Sequence, residues 1–150
     1  MNTDTRIFSN RAPTPWHLWV IGVVTLLWNA MGAFDFVATQ IQLEGYMDAF
    51  SQEQLDYFYS FPTWLIVAWA IAIWSAVFGS LALLFRSRFA YPLFMISLLA
   101  MIVTSVHNFG LSNGAEIMGT TGVIFSAVIA LVSILLVFYS RAMVRRRVLT

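Results

Sequence analysis

The chain of 150 residues has no cysteine, which excludes disulfides, thiol redox chemistry and thiolate metal sites. Charge is scarce. Only 10% of residues are Asp, Glu, Lys or Arg, and all eight basic residues are arginine. There is no Gly-rich phosphate loop, and neither histidine stands beside a positioned nucleophile, so the chain is not expected to be an enzyme. What fills the sequence is apolar. Hydrophobic residues make up 60% of it and the mean hydropathy is +0.80, too apolar for an ordinary soluble domain of this length.

The few charges are segregated. Arg6 and Arg11 precede the first apolar run, Arg86 and Arg88 separate the second from the third, and Arg141, Arg145, Arg146 and Arg147 follow the fourth. The connection 40–62 carries Glu44, Asp48, Glu53 and Asp56 without a basic residue, and the last connection carries only Glu116. By the positive-inside rule this pattern predicts a multi-pass protein of a bacterial inner membrane with both termini cytoplasmic. The arginine cluster at the tail serves as a topology anchor, and no nucleic-acid partner is implied. The first apolar run is too long for a signal-peptide core, holds Trp28, Asn29 and Asp35, and lacks a cleavage pattern, so it is expected to be a retained span.

A helix needs about 20 apolar residues to cross a hydrocarbon core of roughly 30 Å. Four segments meet this, over 16–39, 63–85, 91–109 and 121–140, with an outer loop at 40–62. The expected fold is an all-α integral membrane four-helix bundle forming a single transmembrane domain. Within the outer loop, Ser51-Gln52-Glu53-Gln54 has the form of a capping box, which predicts a short interfacial helix from Gln52 to about Ser60. Tyr46, Phe50, Tyr57, Phe58, Tyr59, Phe61 and Trp64 cluster around it, the composition of an anchor at the lipid headgroups or of a lid over a cavity.

Apolar burial does not drive helices together in lipid, so small residues and polar groups must set the packing. Ala68, Ala72, Ala76 and Ser80 recur every four residues in the second span, with Ser75 and Gly79 on a neighbouring line. Gly122, Ser126, Ala130 and Ser133 form a stripe on the fourth span, and Gly22, Thr25, Asn29 and Gly32 one on the first. Helix contacts are expected along these lines, within the bundle or between subunits.

Polar residues at membrane depth are the functional candidates, because they are the costliest to place there. Asn29 lies near the middle of the first span. Asp35 lies ~28 Å along it from Trp16, and His107 lies ~24 Å from Tyr91 along the third span, each at about 1.5 Å per residue. The two reach similar depth, so Asp35 and His107 are expected to pair if their helices adjoin, either as a structural clasp or as a proton or solute site. Asn108 adjoins His107. Trp28, Trp69 and Trp74 lie deeper than an aromatic belt and either stack on a solute or serve as lipid-facing and core filler. Asp35, His107 and Glu116 could supply three metal ligands, yet no i, i+4 ligand motif supports them, so neither a metal nor another cofactor is expected. His17 is expected to be an interfacial residue.

Four groups of residues carry a resemblance as a set: Pro13-Thr14-Pro15-Trp16-His17-Leu18-Trp19, Leu27-Trp28-Asn29-Ala30-Met31-Gly32-Ala33-Phe34-Asp35, Gln54-Leu55-Asp56-Tyr57-Phe58-Tyr59 before Phe61-Pro62, and Thr104-Ser105-Val106-His107-Asn108. Over nearly the whole chain it resembles a family of short four-span bacterial inner-membrane proteins, mostly uncharacterised, some of them provisionally labelled sugar transporters. The resemblance implies small-solute transport, sugars included, and supplies no functional residues of its own. The residues themselves point to Trp28, Asn29, Asp35, His107 and Asn108 as the solute or proton site. Four helices enclose little volume, so a transport path is expected to need a homo-oligomer. The alternative is an accessory subunit or assembly factor of a larger membrane complex, using the same small-residue faces, with its polar residues bonded to a partner chain.

Overall fold

The structure, a computed structural model, describes residues 12–150; Arg6 and Arg11 lie outside the described residues. Five α-helices follow one another: α1 (Trp16–Gln40), α2 (Gln52–Tyr59), α3 (Thr63–Leu84), α4 (Ala90–Val106) and α5 (Gly114–Arg145). A short 3₁₀ turn, Met47–Ala49, precedes α2, and a π-helical turn, His107–Leu111, extends α4. Among the described residues there is no strand, and four helices are long and apolar enough to span a membrane. The protein is therefore an all-helical integral membrane protein with four spans and a short helix between the first two.

Local chemistry accounts for the helix ends. Pro15 and Pro62 stand immediately before α1 and α3 with extended backbone, where the missing N–H of proline removes nothing the helix uses. Ser51 accepts from the Gln54 backbone N–H while the Gln54 side chain accepts from Ser51 N–H, so the capping box is complete. The break at Gly119 divides a short first segment of α5 from its long span, which starts close to the expected 121 and ends later than the expected 140. Gly119 makes the break with φ of 65° and ψ of −176°, a region that essentially only glycine occupies. At the other end it runs through Arg141 to Arg145, since arginine is a good helix former and basic groups suit a helix C-terminus.

The spans pack in chain order, α1 on α3, α3 on α4 and α4 on α5. Small residues and hydroxyls make the contacts. Ser97 of α4 donates to the Ala72 carbonyl of α3 at 2.7 Å. Asn29 of α1 donates to Ser80 Oγ at 2.9 Å and to the Ala76 carbonyl at 3.3 Å. Gly79 lets the ring of Phe94 lie against the α3 backbone, where an added Cβ would stand 2.9 Å from two ring carbons. The stripes on the first two membrane helices thus face neighbours within the same chain. Gly122, Ser126 and Ser133 of the α5 stripe instead line an internal cavity.

The two ends of the bundle differ. At the end bearing Arg86, Arg88 and the tail arginines, Leu18, Leu83, Phe94, Leu136, Val137 and Leu149 form a closed apolar core. Arg86 ties this end together, donating to the carbonyls of Ala12 at 3.0 Å and Val148 at 3.3 Å. Thr150 exchanges backbone bonds with Arg86 and Arg88. At this end His17 Nδ1 and the Tyr139 hydroxyl, 2.7 Å apart, bridge α1 and α5. Toward the acidic end a gap opens between the spans, with Gln54 and Phe58 of α2 on its wall.

Candidate functional site

The gap is a cavity of about 480 Å³, lined by all four spans together with α2 and the loop before it. It begins at the level of Asn29, Ala76, Ser97 and Ser133, just past the apolar core, and ends under Tyr46, Phe50, Gln54 and Phe58. Its volume falls in the range of small-molecule pockets. The wall is chiefly aromatic and aliphatic, with Trp28 and Trp69 on it; the Trp28 and Phe125 rings, with centroids 5.9 Å apart, bridge α1 and α5 halfway along the bundle.

Trp28, Asn29, Asp35 and Asn108 are all brought to this wall. His107 is not. It is held beside the cavity, edge-on to Trp64 and Phe61 at 5.5 and 6.0 Å between ring centroids. The expected pairing of Asp35 with His107 does not form, because α1 and α4 each pack on α3 and not on one another. Helical rise gives distance along a span, and it carries no information on which spans adjoin. Asp35 Oδ1 instead accepts from the Tyr46 hydroxyl at 2.7 Å. His107 Nδ1 faces Asn108 Oδ1 at 3.2 Å, a bond that requires the tautomer protonated on Nδ1 when that oxygen is the acceptor. Trp74 is exposed on the outer surface beside Phe78 and lies off the cavity.

The cap over the cavity is built by three side chains. Tyr57, buried on the inner face of α2, donates to Asn108 Oδ1 at 3.1 Å and shares a 2.8 Å hydrogen bond with Ser112 Oγ. Ser112 Oγ also lies 3.0 and 3.1 Å from the His107 and Asn108 carbonyls of the π-helical turn, the alternative acceptors for its single proton. Gln54 uses its Oε1 in the capping box and its Nε2 to reach the Ile117 carbonyl of α5 at 3.3 Å, in the turn before the break at Gly119. One glutamine therefore both starts α2 and fastens it to α5. Tyr46, Tyr57 and Gln54 are the site residues that sequence reasoning missed. The capping-box motif marked Gln54 only for its local role, and the two tyrosines were indistinguishable from the rest of the aromatic cluster.

Several wall groups already use their donors internally: Asn29 and Ser97 as described, Thr104 on the Met101 carbonyl at 2.8 Å, and Ser133 on the Ile129 carbonyl at 2.8 Å. Asp35 Oδ2 has no protein partner among the described residues. No group of three or more His, Cys, Asp or Glu side chains that could hold a metal occurs among the described residues. Burial, together with the hydrogen bond and negative charge of Asp35, pushes the Tyr46 hydroxyl up to about 12.

These features define a four-span helical membrane protein with a pocket between its spans, beneath a short helix. No family model, curated protein or solved structure matches the chain, and no family is identified for it.

Proposed function

We propose that the protein is a small-solute transport component of a bacterial inner membrane, with its solute site in the cavity beside Asn29, Asp35 and Asn108. The observation that carries this reading is the pocket of about 480 Å³ reached by every span, closed by apolar packing at the arginine end and covered only by a short helix at the other. With the arginine end cytoplasmic, as the charge distribution argues, the pocket belongs to the outer half and α2 is its lid. A pocket flanked by one sealed end and one lightly capped end is the arrangement that alternating access requires.

One chain supplies every residue named on the pocket wall, so binding does not demand a second copy. Transit past the sealed end does demand a rearrangement, and a homo-oligomer or a larger membrane complex is the proposed setting for it. The accessory-subunit alternative expects polar side chains turned toward another chain. Asn29, Asp35 and Asn108 all bond within this one, which favours the transport reading.

The test is solute flux in proteoliposomes, comparing the wild type with Ser126→Phe, which fills the cavity from α5, and with Asp35→Asn at matched folded protein. Flux lost in Ser126→Phe is the expected result. Equal flux in the wild type, in Ser126→Phe and in protein-free vesicles would remove the transport reading.

A further inference from the structure

We propose that the solute taken by this cavity is an organic cation with an apolar body, its charged group held at Asp35 and its body against the aromatic wall. This inference rests on reading the cavity as a solute site, and adds the chemical class of the solute.

Charge comes first. Asp35 is the only Asp, Glu, Arg, Lys or His among the residues lining the cavity. A lone carboxylate at membrane depth is expensive, and Tyr46 satisfies only one of its oxygens. A carboxylate has acceptor capacity for about four hydrogen bonds, so Oδ2 can receive an ammonium or attract a quaternary cation. An anion would meet Asp35 with no basic side chain on the wall to offset it.

The wall decides the rest of the molecule. Trp28, Trp69, Phe58, Phe61 and Phe125 surround the cavity, and the faces of such rings attract cations while their area suits an apolar body. A sugar is the contrasting case, since each of its hydroxyls needs a partner once desolvated. The wall donors of Asn29, Ser97, Thr104 and Ser133 are already engaged with other protein groups. The hydroxyls of Thr39, Ser105 and Ser126 and the Nδ2 of Asn108 also face the cavity with no protein acceptor among the described residues, so it is the lone carboxylate and the aromatic faces, not a lack of donors, that favour a cation.

The experiment uses the full chain in nanodiscs of zwitterionic lipid, with tritiated benzyltrimethylammonium as probe and glucose, benzoate and neopentylbenzene, the uncharged isostere of the probe, as competitors. The expected result is saturable binding, weakened at least tenfold by Asp35→Asn and retained in Asp35→Glu, with no competition from glucose or benzoate and only weak competition from the isostere. Thermal unfolding followed by helicity establishes that each variant is folded, and Trp74→Phe, on the outer surface away from the cavity, is expected to keep binding. Saturable binding that is unchanged by Asp35→Asn, or equal displacement by the isostere, overturns the cation assignment. So does saturable binding of tritiated glucose in place of the cation, which would leave the solute pocket standing. Absence of saturable binding for cation, glucose and benzoate alike, or cation binding indifferent to Ser126→Phe, removes the pocket reading itself.

Discussion

Tyr46 shows how one loop residue reports on the chemistry of the cavity. Its hydroxyl is neutral below its pKa, and burial followed by the Asp35 hydrogen bond and charge raises that pKa from 10.0 to about 12. The folded state therefore holds this proton more tightly than the unfolded chain does. The associated stability is fully present below pH 10 and is lost as pH rises through about 12. Asp35→Asn removes the hydrogen-bonded carboxylate and its charge but leaves the burial, so phenolate formation should move down only part of the way. Ultraviolet difference titration against Tyr46→Phe measures it, and an unmoved transition would show that Asp35 does not act on the hydroxyl. Gly79 is the steric counterpart. An alanine there would press on Phe94, which is 2% exposed and packed in the apolar core, and overpacking of this kind costs about 1–3 kcal/mol. Unfolding in detergent should show a loss of that order for Gly79→Ala and a smaller one for Gly110→Ala, whose added Cβ would meet nothing within 4 Å.

At the scale of the element, α2 is short and attached by few bonds. An isolated helix of 8 residues has too few turns to repay nucleation, so it depends on its capping box and on Tyr57 and Gln54. Ser51→Ala should lower the local stability of α2 by about 0.5–2 kcal/mol. Tyr57→Phe removes the hydroxyl that joins α2 to Asn108 and Ser112. Both should speed amide exchange across Gln52–Tyr59 while leaving α3 and α4 protected, as read by hydrogen–deuterium exchange. Equal acceleration in α2 and α3 would mean that the cap opens only with the whole bundle. The same few contacts are what a lid requires, since a segment that opens must be drawn from the less stable part of the fold.

For the whole molecule the asymmetry runs along the bundle axis. One end carries the arginines, the apolar core and the bonds that tie Ala12, Arg86 and Thr150 together; the other carries the acidic residues, the cap and the cavity. Since the chain has no cysteine of its own, Gln52→Cys introduces a single label site on the exposed face of α2. An impermeant maleimide added to intact cells should modify it from outside, and modification only after lysis would reverse the orientation argued from charge.

The sequence by itself determined that there are four apolar spans, that charge divides between their two ends, and that Ser51 and Gln54 start a short helix. Each depends on composition or spacing within one segment, where length, charge and capping act locally. It also brought Trp28, Asn29, Asp35 and Asn108 forward, because polar and aromatic groups stand out in an apolar chain. Only the tertiary structure decided that α1 and α4 pack on α3 and not on each other, that Asp35 meets Tyr46 and not His107, and that Tyr57 and Gln54 fasten the cap. In a soluble helix the apolar face marks the inside; here every face is apolar, so the sequence carries little record of which way each span is turned. Rotation and neighbour order are settled by close contacts such as Gly79 on Phe94 and by hydrogen bonds such as Ser97 to Ala72, formed between residues far apart in the chain.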